Sequence, residues 1–154
     1  MRIGLGLNLT RGREMIDANG TCLCGGVTWE AKIDPNKIAI CHCTQCQVNG
    51  SSAFQWAAII NMRDLSLNSD SLKSFVKTAE SGNQREINFC ENCGTTIFGG
   101  NVDNDETVTL RLGGCAQRDI LAPKFEIWCD SAQSWSHGLS GGPTIEKQTG
   151  IVTE

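Results

Sequence analysis

Cys41-His42-Cys43-Thr44-Gln45-Cys46 places three thiols within six residues of a 154-residue chain. Outward from it, Cys22-Leu23-Cys24 precedes this stretch and Cys90-Glu91-Asn92-Cys93-Gly94 follows it. Nine cysteines in a chain this short need a chemical reason. A secreted disulfide scaffold uses an even count behind a signal peptide. Here the count is odd, and Ile3-Gly4-Leu5-Gly6-Leu7 is too short and glycine-rich to serve as the apolar core of such a peptide. Thiolates on metal, in a reducing cytoplasm, are the better reading.

The length fits one domain with a modest core. A net charge of −4 with no basic run speaks against nucleic acid or an anionic membrane as the main partner. No run approaches the roughly 20 apolar residues of a membrane span. Residues 1–19 read as a disordered leader, with Arg2, Arg11 and Arg13 scattered and Met15 as an alternative start. Residues 20–139 read as a single domain, and residues 140–154 as a loose tail.

Within the domain the pattern is β-rich. Val27 to Ile33 alternates, with Val27, Trp29, Ala31 and Ile33 on one face. Asp34-Pro35-Asn36 is a turn that can close a hairpin onto Lys37 to Ile40, a short strand running straight into Cys41. Thr44 to Ser52 is either a loop or a helical turn. Phe54 to Ile60 is apolar enough for a buried strand. Leu65 to Leu67, Leu72 to Val76, Arg85 to Phe89, Thr95 to Phe98, Thr107 to Leu112 and Phe125 to Trp128 read as further strands. Many short strands broken by turn signals indicate an all-β or β-rich domain, and no helix of three turns is expected.

The thiols divide by spacing. Cys90 and Cys93 sit across a tight turn on the tip of an expected hairpin, with Gly94 able to take the positive φ such a turn requires. With Cys22 and Cys24 they make a closed four-thiolate set, the pattern of a structural zinc. Cys41, Cys43 and Cys46 remain. Three ligands leave a tetrahedral ion one position short, as in catalytic sites, and a soft site of this kind favours an incoming sulfur. The competing arrangement has His42 or a later residue closing this site, giving two structural ions. His42 itself, between two ligands, reads as a packed or supporting histidine. Cys115 and Cys129 read as small buried hydrophobes, and His137 as solvated.

Gly20 to Val27, Cys41 to Cys46 and Phe89 to Thr95 together resemble the glutathione-dependent formaldehyde-activating enzyme family. Its members are also called S-(hydroxymethyl)glutathione synthases and include centromere-protein-V-like proteins. The resemblance runs from about Gly20 to Trp135, with Pro123 to Trp128 and Trp135 similar to the family's closing segment. It implies a β-tent fold of short antiparallel strands. It implies a structural zinc on Cys22, Cys24, Cys90 and Cys93, and a more exposed second zinc on Cys41, Cys43 and Cys46. There a small thiol such as glutathione and a small aldehyde such as formaldehyde would be joined or cleaved, a carbon–sulfur lyase reaction. Two features depart from the family pattern. Gln47-Val48-Asn49 is neutral where many relatives carry a basic residue, and Glu126 stands where a histidine is common. Both remove cationic partners for the carboxylates of glutathione. Gln45 and Thr44 are candidate oxyanion partners. A non-catalytic thiol carrier and a zinc-stabilised protein-interaction module are the alternatives.

Overall fold

A computed structural model describes residues 14–101 and 106–147. Ten strands and one short helix occur among these residues: β1 (Ile16–Thr21), β2 (Val27–Ile33), β3 (Ile38–Cys41), α1 (Thr44–Gly50), β4 (Gln55–Asn61), β5 (Leu65–Ser69), β6 (Leu72–Thr78), β7 (Gln84–Cys90), β8 (Thr96–Asn101), β9 (Thr107–Arg111) and β10 (Phe125–Ile127). The fold is mainly β, as expected. A three-stranded sheet has the order β1-β2-β5, and a seven-stranded sheet the order β10-β3-β4-β9-β8-β7-β6. Every pairing is antiparallel except β10 with β3. No helix among the described residues is long and apolar enough to cross a membrane.

The apolar alternation of β2 is realised: Val27, Trp29, Ala31 and Ile33 are buried and the residues between them exposed. They pack in one core with Ala58 and Ile60 of β4 and Val108 and Leu110 of β9. Strand β4 is buried on both faces, which is why it reads as a continuous apolar run. Its other face, Ala57 and Ile59, lines a cavity on the far side of the large sheet. Strand β9 divides likewise: Val108 and Leu110 face the core, while Thr109 and Arg111 line the cavity.

Three expectations are corrected. The turn at Asp34-Pro35-Asn36 forms, with the Asn36 amide donating to Asp34 Oδ1 at 2.9 Å, but it closes no hairpin. Both edges of β2 are already taken by β1 and β5, so the turn carries the chain into the large sheet. Residues 16–19, assigned to the leader, lie in β1. The inward positions of β1 are Ile16, Ala18 and Gly20, and with one large side chain among three they do not register as an apolar face. A Cβ at Gly20 would stand 2.2 Å from the Trp29 ring, so β1 can lie against that indole only with glycine there. Residues 140–147, assigned to a loose tail, run beside β10. The Glu126 amide donates to Pro143 O at 2.9 Å and the Ile145 amide to Glu126 O at 2.9 Å. The rest of the expected leader and tail, residues 1–13 and 148–154, lies outside the described residues.

Candidate metal centres and the thiol cavity

Two turns bring four thiols together. Between β1 and β2 the Cys22 amide donates to Val27 O at 2.9 Å, and Gly25 takes φ +80 to complete the turn. Between β7 and β8 the Gly94 amide donates to Cys90 O at 2.8 Å, with Gly94 at φ +76 as its sequence position requires. The sulfurs of Cys22, Cys24, Cys90 and Cys93 lie within 4.8 Å of one another. Cys22 to Cys24 is 3.6 Å and Cys24 to Cys90 is 3.7 Å. Tetrahedral sites with metal–sulfur bonds near 2.3 Å have sulfurs about 3.8 Å apart, so the set fits an ion. The Thr95 hydroxyl and amide hold the Cys93 thiol down to about 5.

Cys41, Cys43 and Cys46 form a second set within the same limit. Cys41 ends β3. Cys43 is the N-cap of α1, and its sulfur accepts from the Cys46 amide at 3.3 Å. That cap turns the Thr44–Ser52 segment into a helix of two turns, closed by Ser51 in the left-handed region at φ 47. The Cys41 and Cys46 thiols donate to Cys43 and push it down to about 2, while Cys41 is driven up by the same contacts and by burial. Three sulfurs this close to one another are the arrangement a cation would hold. Both thiol sets could therefore hold a metal ion.

The two sets differ in what surrounds them. The three-thiol set opens on a cavity of about 300 Å³ on the large sheet. Its walls include Ala57, Ile59, Ile127 and Trp128, with Lys77, Arg85 and Arg111 as cations and Glu80 and Glu86 as acids. Trp128 is held in the left-handed region at φ 58, a rare conformation for a bulky residue and one that concentrates at functional sites. Arg111 is the cation of the cavity with an unmatched buried donor. Its Nε is buried with no hydrogen-bond partner among the described residues, and its Nη1 reaches only Thr109 Oγ1 at 3.5 Å. Burial pulls its guanidinium below the usual value, and the thiols of Cys46 and Cys41 oppose that pull.

The three cations come from β6, β7 and β9, far in sequence from the thiols. The neutral flank Gln47-Val48-Asn49 therefore does not leave the cavity without positive charge. The sequence signal was the alternation of these strands, whose non-core positions carry Lys77, Arg85 and Arg111. Gln45 and Thr44 both line the cavity. The Gln45 amide, however, is engaged: it accepts from Lys77 Nζ and donates to Thr78 O at 3.2 Å, tying α1 to β6.

A third cluster joins His42, Glu126 and Cys129. His42 and Glu126 are both fully buried, and His42 Nε2 lies 2.7 Å from Glu126 Oε2. The Gly138 amide donates to the same oxygen at 3.2 Å and the Ser140 amide to Oε1 at 2.7 Å. Burial alone would raise the Glu126 carboxyl, but the Ser140 amide and His42 outweigh it and hold the group below the usual carboxylate range. The Gln47 amide adds a bridge from His42 O at 2.7 Å to Ser131 O at 2.9 Å. This network ties the turn between Cys41 and Cys43 to β10 and the segment after it. Glu126, read from sequence as a missing cation, is an anchor.

A solved structure of a Rhodobacter sphaeroides protein is similar in fold, with a TM-score of 0.50 at 23% identity over 66% of this chain and 94% of that one. A Schizosaccharomyces pombe protein described as an uncharacterized lyase is 33% identical over 84 residues. That match spans 54% of this chain and 58% of the relative's length. The model of the glutathione-dependent formaldehyde-activating enzyme family matches residues 17–131, a span that holds both thiol sets, the three cations and the Glu126 anchor, and the chain belongs to that family.

Proposed function

We propose that the chain is a zinc-dependent carbon–sulfur lyase, joining a glutathione-like thiol to a formaldehyde-like aldehyde and cleaving the adduct in reverse. The observation that carries this reading is the cavity: three thiols open on about 300 Å³ of space walled by Lys77, Arg85 and Arg111 as cations and by Glu80 and Glu86 as acids. A thiol with two carboxylates and one ammonium, as in glutathione, matches that mixture of charge, the carboxylates on the cations and the ammonium on the acids.

In this reading Cys22, Cys24, Cys90 and Cys93 hold a structural zinc, and Cys41, Cys43 and Cys46 hold the second of two. When bound, the second ion supplies Lewis acidity toward the thiol and the carbonyl oxygen. The chain's own residues do the rest. Lys77, Arg85 and Arg111 bind and orient the carboxylates, and Ile59, Ile127 and Trp128 keep water from the reacting atoms. The addition forms one sulfur–carbon bond and moves the thiol proton to the carbonyl oxygen, so no oxidant or reductant is needed. All nine cysteines are free thiols, which suits a reducing cytoplasm.

The test uses the zinc-loaded chain with glutathione and formaldehyde, following adduct exchange by NMR. Acceleration that Cys43→Ser abolishes supports the lyase. Glutathione binding without acceleration makes the protein a carrier, and no binding leaves the interaction module.

A further inference from the structure

The cavity face of the large sheet continues past the thiol site. Its register runs Ile59, Thr109, Gly99, Ile87 and Phe75 across β4, β9, β8, β7 and β6. The first four line the thiol cavity. Phe75 is next in the row, on the edge strand. With Val48 of α1 it frames a second hollow of about 330 Å³. The other five residues of that hollow, Thr44, Gln45, Asn49, Lys77 and Ile87, line the thiol cavity too. Gln45, Val48 and Asn49 stand at i, i+3 and i+4, so one face of α1 looks onto β6.

This shelf is apolar where it matters. Phe75 is 58% exposed and Val48 80% exposed. Of the polar residues on the shared rim, Lys77 donates to Gln45, and both face the thiol cavity as well as the shelf. Neither formaldehyde nor glutathione carries an alkyl chain or an aromatic ring to cover it. A protein seated on Phe75 and Val48 would also close the mouth of the thiol cavity, since the two hollows share a wall. The occupant that fits both hollows at once is one molecule, anionic at one end and apolar at the other.

We propose that the shelf is a second subsite, taking the apolar substituent of the aldehyde carbon. The substrate class is then the adduct of an anionic thiol with an aldehyde bearing a group such as hexyl or phenyl. This rests on the reading of the neighbouring cavity as a thiol site. Phe75 and Val48 set the specificity.

Calorimetric titration of the zinc-loaded chain with glutathione, S-methylglutathione and S-hexylglutathione tests it. A fully buried methylene is worth about fourfold in affinity, so five added methylenes lying on a half-open shelf give at least about tenfold. The S-hexyl compound should bind at least tenfold tighter than the S-methyl compound. Phe75→Ser and Val48→Ser should each bring that ratio toward one, and a ratio cancels any loss common to both ligands. A wild-type ratio near one, or a wild-type ratio kept in both variants, overturns the subsite while glutathione binding still stands. Failure of glutathione and both derivatives to bind overturns the thiol reading and the subsite with it. A ratio near one together with a dimer that Phe75→Ser dissociates assigns the shelf to a second copy of the chain, and also overturns the proposal.

Discussion

Replacing Glu126 by Gln keeps the volume of a fully buried side chain and changes one acceptor oxygen into a donor. Two donors converge on Oε2, His42 Nε2 at 2.7 Å and the Gly138 amide at 3.2 Å. If the variant amide keeps its oxygen on the Ser140 amide, its nitrogen faces both of them. His42 can adapt only by moving its proton to Nδ1, which is buried with no partner among the described residues. One buried group left unmatched costs about 1–3 kcal/mol. Two sites and a lost charge-assisted bond give about 3 kcal/mol after allowing for non-additivity. For a chain of this size that is a fall in Tm of about 6–12 °C.

The pH dependence has a definite sign. The Glu126 carboxyl is depressed in the folded state. Its contribution is therefore complete above its unfolded value of about 4.3 and fades as pH falls through the depressed folded value. The gap in Tm between wild type and Glu126→Gln should be full at pH 7 and should close in acid. Calorimetric scans from pH 7 to pH 3 read both quantities. Equal melting at pH 7, or a gap that widens in acid, would refute the anchoring role.

Cys90→Ser removes a ligand of the closed set, whose proposed ion contributes folding energy of the order of 10–16 kcal/mol in small zinc domains; the variant should aggregate or melt far below wild type. Mild chelation should remove about one zinc per chain with the fold intact and glutathione binding lost, and Cys43→Ser should copy that state, as metal analysis and circular dichroism will report. Gly20→Ala puts a methyl 2.2 Å from the Trp29 ring and should cost about 1–3 kcal/mol in denaturant unfolding. Arg111→Met should weaken glutathione binding at least about tenfold by removing a charge-assisted contact, while the metal-loaded fold melts no lower.

The alternating strands were legible because one face of each is large and apolar. Val27, Trp29, Ala31 and Ile33 announce β2 without help. Strand β1 was not legible, because Ile16 is the one large side chain on its inward face and Gly20 is bare so that the Trp29 indole can fill the space. The thiol groups were legible as groups, since turns and a strand end bring each of them together locally. Which of the sheet's other side chains join them was not. Arg111 reaches the cavity only because β9 pairs with β4 so that Arg111 stands opposite Ala57, and strand register is not written in spacing. Glu126 was misread for a related reason. Its partners, His42 and the amides of Gly138 and Ser140, are defined by the parallel docking of β10 on β3 and by the path of the chain after it.

Arg111 is where the proposed chemistry would cost the fold stability. Its neighbours on the opposite face of β9, Val108 and Leu110, show that this strand accepts full burial of apolar residues. An apolar side chain at position 111 would avoid desolvating a guanidinium, a cost that burial without a paired carboxylate does not return. The thiols of Cys46 and Cys41 are near enough to oppose the effect of that burial. Three thiolates about a divalent ion carry a net charge of −1, and one buried cation beside them brings the pair close to neutral. The four-thiol set needs no such partner, because Cys24 is exposed and water screens it. Among the described residues a buried cation bears on one thiol set and none on the other, which supports the proposed difference in role. In the proposed reading the closed set serves the fold, and the open set takes a negatively charged guest that Arg111, Arg85 and Lys77 would stabilise.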